Sequence, residues 1–367
     1  MGSDGLLILV VATALAFDFT NGFHDTANAM ATSIATRALP PRTAVTLAAV
    51  LNFAGAFISV AVATTIAEGI VNNADIGLGV IFAALLGAIA WNLVTWLASI
   101  PSSSSHALIG GIVGATIASA GSGAVNVDGV LSDVVIPAVL APVIAGAVAV
   151  VATVIAYRMK ARMGEGVADR GFRLGQIMTA SLVSLAHGTN DAQKTMGVIA
   201  LALVVHGSLD GQNLEIPIWV KLSAATAIGL GSYVGGWRII KTLGTRVTDI
   251  EPEQGFAAEG SGASVLLAAS YYGFPLSTTQ IVSGSVFGAG IGKRLASVEW
   301  SVVGKMVVAW LLTLPAAALV AGLAFELSDF LGADAAGPIA LAVLAVAGSV
   351  TMFLLAQRNP VRAADFA

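Results

Sequence analysis

The sequence predicts an all-α membrane protein built as an inverted-topology repeat, with broken helices and two re-entrant hairpins. Of the 367 residues, 57% are hydrophobic and 10% are charged, whereas soluble domains average about 25% charged residues. Apolar stretches of membrane-spanning length follow one another along nearly the whole chain, and two polar motifs each occur once in either half. One soluble core could not bury this much apolar surface, so lipid must cover part of it.

Apolar segments divide the chain into spans. A helix needs roughly 20 apolar residues to cross about 30 Å of hydrocarbon. We predict spans at 5–36, 43–66, 134–157, 174–206, 217–237, 300–326 and 337–357. Two further stretches, 76–120 and 261–292, are each interrupted by a proline and a run of hydroxyl residues. Interrupted segments at corresponding places point to the binding site of a transporter.

Charges on the connections alternate in sign along the chain. Basic residues cluster after the first span, in the loop 158–173, at 238–246, at 293–294 and after the last span. Lys and Arg in short loops mark the cytoplasmic side, so we place the N-terminus outside and the C-terminus inside the plasma (inner) membrane. The stretch 76–120 then enters and leaves from the outer face, and 261–292 from the inner face.

The two halves also resemble each other residue by residue. The run Pro101–His106 aligns with Pro275–Gln280, and Gly22–Met30 aligns with Gly188–Met196. The two motifs occur in the same order in each half. The predicted sidedness gives the second copy of each motif the opposite orientation in the membrane. Secondary transporters are commonly built this way. We predict a first repeat at 1–157, a basic cytoplasmic linker at 158–173 and a second repeat at 174–367.

Four ionisable residues lie well inside predicted spans: His24, Asp25, Asp191 and Lys194. A charge at the bilayer centre costs about 2.5–3.5 kcal/mol on insertion scales, so such groups pair with each other or line a polar cavity. An Asp–Lys pair that only locks two helices together is the alternative. Equivalent acidic positions in both repeats favour one shared site at the midplane.

Glycines and amides beside these aspartates predict a cation site. Gly22 and Gly188 suggest that the two helices are broken, which would free backbone carbonyls. With carboxylate and amide oxygens they would form a cage for Na⁺, or the carboxylates would carry H⁺. The predicted coupling residues are Asp25, Asn28, Asn190 and Asp191, with Asp25 and Asp191 as Na⁺ ligands if sodium is the coupling ion. Whether Asp18 faces the same cavity stays open.

Two hydroxyl runs predict an anion site. Each run precedes a Gly-rich helical stretch, so its hydroxyls and free N–H groups lie at a helix N-terminus, where the helix dipole favours anions. One hydroxyl suffices for an ordinary N-cap, the alternative role for these runs. We expect the transported anion to contact Ser103, Ser104, Ser105, Ser277, Thr278, Thr279 and Lys194.

Enzymatic functions lack support in the sequence. Ser105 and His106 are adjacent on a helix and cannot face one another, and no HExxH, Walker A or GxGxxG motif occurs. His187 and His206 look too isolated to be ligands. The rival function is a cation channel or cation/proton exchanger that uses the intramembrane aspartates, with the hydroxyl runs serving only as caps.

The segments Asn21–Ala29, His187–Lys194 and Pro101–His106 together closely resemble the inorganic phosphate transporter family, over nearly the whole chain. The resemblance implies a cation-coupled symporter of inorganic phosphate, an inverted repeat and a homodimer embedded in lipid. It implies no nucleic-acid partner and no tightly bound cofactor. It also implies that the two signature segments and the two hydroxyl-rich hairpins form the phosphate and cation sites.

One position departs from the family pattern. Sodium-driven members tend to have Asn in both signatures, whereas here Lys194 matches Asn28. A buried ammonium must face Asp191, Asp25 or the bound phosphate, and it would replace one cotransported cation. In this respect the chain resembles bacterial proton-linked members. The coupling ion is therefore H⁺ or Na⁺, and Mg²⁺ carried with phosphate as a metal–phosphate complex stays open.

Overall fold

A computed structural model describes residues 3–68, 76–211, 214–294, 298–332 and 336–366. Within these residues the chain is helical, with no strand beyond an isolated bridge between Thr248 and Val298. The helices are α1 (Ser3–Ala35), α2 (Pro41–Gly55), α3 (Ala61–Glu68), α4 (Leu78–Leu97), α5 (Ser104–Ala120), α6 (Val127–Gly129), α7 (Ile136–Lys160), α8 (Glu165–His206), α9 (Ile218–Val234), α10 (Trp237–Thr245), α11 (Pro252–Tyr271), α12 (Thr278–Lys293), α13 (Trp300–Gly332) and α14 (Ala336–Gln357).

Five helical stretches among the described residues are long and apolar enough to cross a membrane. They are α1, α4, α13, α14 and the continuous stretch Val127–Lys160, in which a π-helical segment joins α6 to α7. Large apolar side chains on α7, α13 and α14 are exposed, as expected of helices that contact lipid. The chain is an integral membrane protein.

The prediction of broken helices at Gly22 and Gly188 is wrong. Both glycines lie inside uninterrupted helices, α1 and α8. A Cβ at Gly22 would collide with the carbonyl of Ile228 on α9, and a Cβ at Gly188 would collide with the carbonyl of Asn52 on α2. The glycines allow close helix packing, which is the common use of small residues between membrane helices.

The breaks occur instead in the helices that pack against these glycines. The predicted span 43–66 is interrupted at 56–60, between α2 and α3, and the span 217–237 ends at Gly235, before α10. Gly235 has a φ of +76°, which lies in the left-handed region that glycine adopts without steric cost. The freed N–H of Val62, at the start of α3, donates to Gln193 Oε1 on α8 at 2.8 Å.

The two interrupted stretches each form a pair of helices joined by a short connection. Helices α4 and α5 pack together, as do α11 and α12. Helix α5 also packs along α13, and α12 packs along α7. The start of each second helix, Ser104 in α5 and Thr278 in α12, is fully buried beside α1 and α8.

The predicted linker 158–173 is mostly helical. Helix α7 continues to Lys160 and α8 begins at Glu165. The first turns of α8 are polar, and Arg173 pairs with Asp169 one turn earlier at 3.0 Å. Charged side chains reach solvent from an exposed helix as readily as from a loop. The run of charges therefore did not show whether this segment is a helix or a loop.

Candidate functional site

A polar face on α1 forms one wall of the site. Asn21, His24, Asp25 and Asn28 are at most 1% exposed. Their spacing of three and four residues places them on one side of the helix. Burying four polar groups is costly unless each finds hydrogen-bond partners. Helices α4, α5, α8 and α12 supply those partners.

Asp25 is bonded by side chains from its own helix and from both hairpins. His24 Nδ1 lies 2.6 Å from Asp25 Oδ1. Ser104 on α5 donates to Oδ2 at 2.9 Å, and Thr279 on α12 donates to Oδ1 at 3.2 Å. His24 is oriented by Thr95, whose hydroxyl lies 3.2 Å from His24 Nε2. Three donors therefore surround one buried carboxylate.

Asp191 on α8 has a similar but more positive environment. Lys194 Nζ donates to Oδ1 at 2.5 Å, and His187 Nε2 lies 3.1 Å from Oδ2. Thr278 donates to Oδ1 at 3.2 Å. Asn21 links the two carboxylates, because its amide donates to Asp191 at 3.3 Å while its carbonyl accepts from Ser104 at 2.6 Å.

The structure divides each hydroxyl run between two roles. Ser103 and Ser277 are ordinary N-caps, which accept from the N–H three residues later at 3.1 and 3.2 Å. The other hydroxyls contact the carboxylates or Lys194: Ser104 and Thr279 donate to Asp25, Thr278 donates to Asp191, and Ser105 accepts from Lys194. The starts of α5 and α12 thus meet at one place, between α1 and α8.

Lys194 joins the second signature segment to both hairpins. Its ammonium donates to Asp191 and to Ser105 on α5, each at 2.5 Å. It also donates to the carbonyl of Leu276, just before α12, at 2.8 Å. The side chain is 1% exposed. Its positive charge is thus held at the point where the two hairpins approach each other.

The two predicted asparagines lie differently. Asn28 donates to Thr279 at 2.9 Å, inside the cluster. Asn190 donates to Ser270 at 3.1 Å and to the carbonyl of Phe274 at 3.3 Å, which ties α8 to the connection between α11 and α12. Among the described residues, the Oδ1 atoms of both asparagines are buried without a hydrogen-bond partner, so both are available as cation ligands.

Cation ligands also converge at the carboxylates. Asp25, His187 and Asp191 each offer one ligand atom, and the three atoms lie within 4.8 Å of one another. The expectation that His187 is isolated is therefore wrong. Its spacing of four residues from Asp191 places both on one face of α8, and this was the signal in the sequence that could have identified it. His206 also has a carboxylate beside it, because its Nε2 atom lies 3.0 Å from Asp4 Oδ1 on α1.

Sequence reasoning missed another buried carboxylate, that of Glu259. Glu259 on α11 is 0% exposed and accepts from Thr32 at 2.5 Å, Ser33 at 2.7 Å, Thr179 at 2.9 Å and Gln176 at 3.3 Å. It was missed because α11 begins at Pro252, earlier than the predicted stretch 261–292, so Glu259 lay outside the predicted apolar segments. Thr32 follows Asn28 by four residues on α1, so the polar face of α1 continues from the site towards Glu259.

Asp18 also lies on this face of α1, seven residues before Asp25. It is 0% exposed, and among the described residues neither carboxylate oxygen has a hydrogen-bond partner. It therefore differs from Asp25 and Asp191, whose oxygens each accept at least one hydrogen bond.

Comparisons with known proteins agree with this geometry. Residues 21–167 and 160–321 match the model of the phosphate transporter family. The chain is 54% identical to the "Probable low-affinity inorganic phosphate transporter" of Mycobacterium bovis, over 97% of this chain and 85% of that protein. It is 46% identical to the Bacillus subtilis protein of the same name, over 87% of this chain and 96% of that protein.

A solved structure described as "The sodium-dependent phosphate transporter" has the same fold. It superposes with a TM-score of 0.79 at 25% identity, over 89% of this chain and 99% of the solved chain. Family model, relatives and fold agree over most of the sequence. The chain belongs to the phosphate transporter family.

Proposed function

We propose that this chain carries inorganic phosphate across the membrane by symport with a cation. The observation that carries the proposal is the meeting of two hydroxyl-bearing helix starts, those of α5 and α12, around Lys194 and the two aspartates. Two helix N-termini and one ammonium give converging donors for a tetrahedral oxyanion. Family membership supports phosphate as that anion.

Electrostatics explain why a cation must accompany the anion. Asp25 and Asp191 accept hydrogen bonds from the same hydroxyls that would donate to phosphate. An anion next to two buried carboxylates would be repelled strongly at low dielectric. A cotransported cation offsets that repulsion, so the anion binds well only when the cation is present. This is the thermodynamic basis of symport.

Phosphate would be held mainly by Ser104, Ser105, Thr278, Thr279 and Lys194, with a smaller contribution from the helix-capping Ser103 and Ser277. The cation would be held by Asp25, Asn28, Asn190 and Asp191. The solved relative is described as sodium-dependent, which supports Na⁺ as a cotransported ion, with Asp25 and Asp191 as its ligands. Lys194 supplies a fixed positive charge that favours H⁺ in this chain. Mg²⁺ would enter only as part of a metal–phosphate complex. No step requires covalent chemistry, and the relatives are named as transporters.

Alternating access around this site would follow from an inverted repeat with re-entrant hairpins, comprising 1–157 and 174–367 on either side of the segment 158–173. Two observations support it. His106 and Gln280, which are equivalent in the sequence alignment, lie 3.3 Å apart, as equivalent residues do beside a two-fold axis. Gly22 packs on α9 of the second half, while its equivalent Gly188 packs on α2 of the first half.

The basic loops support an N-terminus outside and a C-terminus inside the plasma (inner) membrane. The family resemblance supports a homodimer. A cation channel or exchanger is not favoured, because the family model and the named relatives all point to phosphate. In that alternative, Ser104, Thr278 and Thr279 would serve only to bond the aspartates, and Ser105 would serve only to bond Lys194 and the carbonyl of Leu276.

Radiolabelled phosphate uptake into proteoliposomes tests the proposal. Na⁺ and pH gradients are imposed separately, and empty liposomes serve as the control. We expect phosphate to accumulate against its own gradient under at least one of the two gradients. Cation flux without phosphate uptake under either gradient would reject phosphate symport and favour the exchanger.

A further inference from the structure

Asp18 is a buried carboxyl group that no neighbouring side chain satisfies. Its side chain is 0% exposed, and both of its oxygens lack a hydrogen-bond partner among the described residues. The Thr195 hydroxyl on α8 is also buried without a partner there, and it acts on Asp18 together with Asn21. Three unpaired oxygen atoms are thus gathered beside the phosphate site.

An ionised carboxylate in this position would be costly, because its polar neighbours Thr195 and Asn21 replace little of the water it loses. Asp25 and Asp191 avoid that cost through hydrogen bonds from hydroxyl, imidazole and ammonium groups. By contrast, neither oxygen of Asp18 has a hydrogen-bond partner within the part of the chain that the structure describes. It therefore needs a bound positive species of its own, either a metal cation or a proton.

The surroundings of Asp18 favour a proton. Among the described side chains, the unpaired oxygens at this place are those of Asp18 and the Thr195 hydroxyl, since Asn21 already binds Ser104 and Asp191. Three oxygens are few for a hard cation, which takes about six. The Lys194 ammonium also acts electrostatically on Asp18, and it repels a metal cation at this place.

The charged groups around Asp18 are few. Those that act on it are Asp191 and Lys194, both on α8. Helix α4, which packs on the same part of α1, has no ionisable residue. The remaining ionisable groups on the helices packed on α1 are, in chain order, Arg42, Asp169, Arg170, Arg173, His187, His206, Lys221, Tyr233, Arg238, Lys241, Glu253, Glu259, Tyr271 and Lys293, among the side chains that the structure describes. On α9, Gly231 packs against Phe19, the neighbour of Asp18. Lys221 lies ten residues before Gly231, which is roughly 15 Å along the helix.

Asp18 is well placed to sense the anion. It lies one turn before Asn21, which bonds both Ser104 and Asp191. A negative charge arriving at Ser104, Ser105 and Lys194 would favour the protonated form of Asp18, and the protonated form would equally favour the anion, since linkage is reciprocal. When phosphate leaves on the other side, the proton is released to water there.

We propose that Asp18, with Thr195 beside it, is the site that carries the cotransported proton. This inference rests on the proposed phosphate symport and makes it specific. Asp25 and Asp191 then hold the site together through the hydrogen bonds that they accept, while Asp18 alternates between its two protonation states.

The test measures protons moved per phosphate in proteoliposomes, with an entrapped pH dye and radiolabelled inorganic phosphate. Asp18→Asn is compared with wild type and with Asp4→Asn, the same chemical change at the exposed start of α1. We expect Asp4→Asn to match wild type and Asp18→Asn to move one proton fewer per phosphate. An unchanged ratio in Asp18→Asn would overturn the proposal.

A second variant covers the case in which Asp18→Asn does not fold or transports nothing. Thr195→Val keeps the carboxyl group and the side-chain volume but removes the nearby hydroxyl. The ionised form loses a polar neighbour, so the pH of half-maximal uptake should move upward. An unchanged pH profile would overturn the assignment.

Wild-type uptake that needs Na⁺ and moves no protons would also overturn the assignment of Asp18, while leaving phosphate symport standing. No phosphate uptake under any gradient would reject the proposed function itself.

Discussion

Lys194 Nζ lies 2.5 Å from Asp191 Oδ1, three residues earlier on α8, and both side chains are at most 1% exposed. A pair buried this deeply gains its stability only through complete hydrogen bonding. Ser105, Leu276, Thr278 and His187 complete it. These contacts bind both hairpins to α8, so the same pair that would recognise an anion also holds the site together.

Loss of the Asp191 carboxylate should destabilise the protein more than loss of the Asp25 carboxylate. Asp191→Asn leaves a buried ammonium without its counter-charge, which costs about 3–5 kcal/mol. The described partners of Asp25 are His24, Ser104 and Thr279, and none of them is a lysine. Thermal unfolding in detergent measures the difference. Asp191→Asn combined with Lys194→Gln should recover part of the loss. Equal losses for Asp25→Asn and Asp191→Asn would contradict this account.

Removal of the Lys194 charge should change the coupling ion. Lys194→Asn restores the asparagine found at the equivalent position, Asn28, and removes a fixed cation from the site. A mobile cation is then needed in its place, so uptake should become more dependent on Na⁺. Phosphate uptake at several Na⁺ concentrations measures this, with Lys221→Asn on α9 as the matched control. The same Na⁺ dependence in wild type and Lys194→Asn would show that the ammonium has no part in coupling.

The three hydroxyls of the run Ser103–Ser105 should differ in function, with two of them affecting phosphate affinity and one affecting stability. Each donor lost from Ser104 and Ser105 is worth about 0.5–1.5 kcal/mol, so replacing both with Ala should weaken phosphate affinity roughly tenfold. Ser103 caps α5, so Ser103→Ala should cost about 1 kcal/mol of stability with a smaller effect on affinity. Half-saturation for uptake and the unfolding temperature give the two readouts. If all three positions affect affinity equally, the division of roles is wrong.

Glu259 should contribute to stability through the donors it satisfies. Glu259→Leu removes the acceptor of three hydroxyls and one amide, and each unsatisfied buried donor costs about 1–3 kcal/mol. Glu259→Gln keeps one acceptor oxygen and should lose less. The unfolding temperature of both variants is compared with that of Glu326→Leu, an acidic residue exposed on α13. Similar stability for Glu259→Leu and Glu326→Leu would refute the prediction.

An ion cluster at the start of α11 should make stability depend on pH. Burial alone would raise the pKa of Glu251, but hydrogen bonds from Lys293 at 2.7 Å and Tyr157 at 2.8 Å, with the charge of Lys160, hold the pKa below its ordinary value. A lowered pKa adds stability above the unfolded-state value, and that stability is lost as the pH falls through the folded-state value.

Glu251→Gln should therefore lower the unfolding temperature at neutral pH, and its difference from wild type should shrink as the solution is acidified. The exposed Asp329→Asn on α13 is the control. The side chain of Glu251 is 42% exposed, so added salt should also reduce the difference through screening. A difference that stays constant with pH would mean that the charge of Glu251 does not matter.

The amino-acid sequence by itself determined the class of protein and the residues of the candidate site. Apolar length predicts membrane helices because the bilayer thickness sets it. Charged and hydroxyl residues inside apolar segments identify Asp25, Asp191, Lys194 and the two hydroxyl runs, since groups so costly to bury need a polar setting. These are local signals, and each can be recognised within a window of a few turns.

Only the tertiary structure decided how these residues are used. Ser104 reaches Asp25 across 79 residues of sequence, and Thr279 reaches it across 254. Such contacts determine that Ser103 caps a helix while Ser104 bonds a carboxylate, and that Asp18 lacks the partners Asp25 has. The same holds for the glycines at 22 and 188, because a local pattern cannot tell a helix break from a close helix contact. That distinction depends on which backbone lies opposite, and only the folded arrangement of helices supplies it.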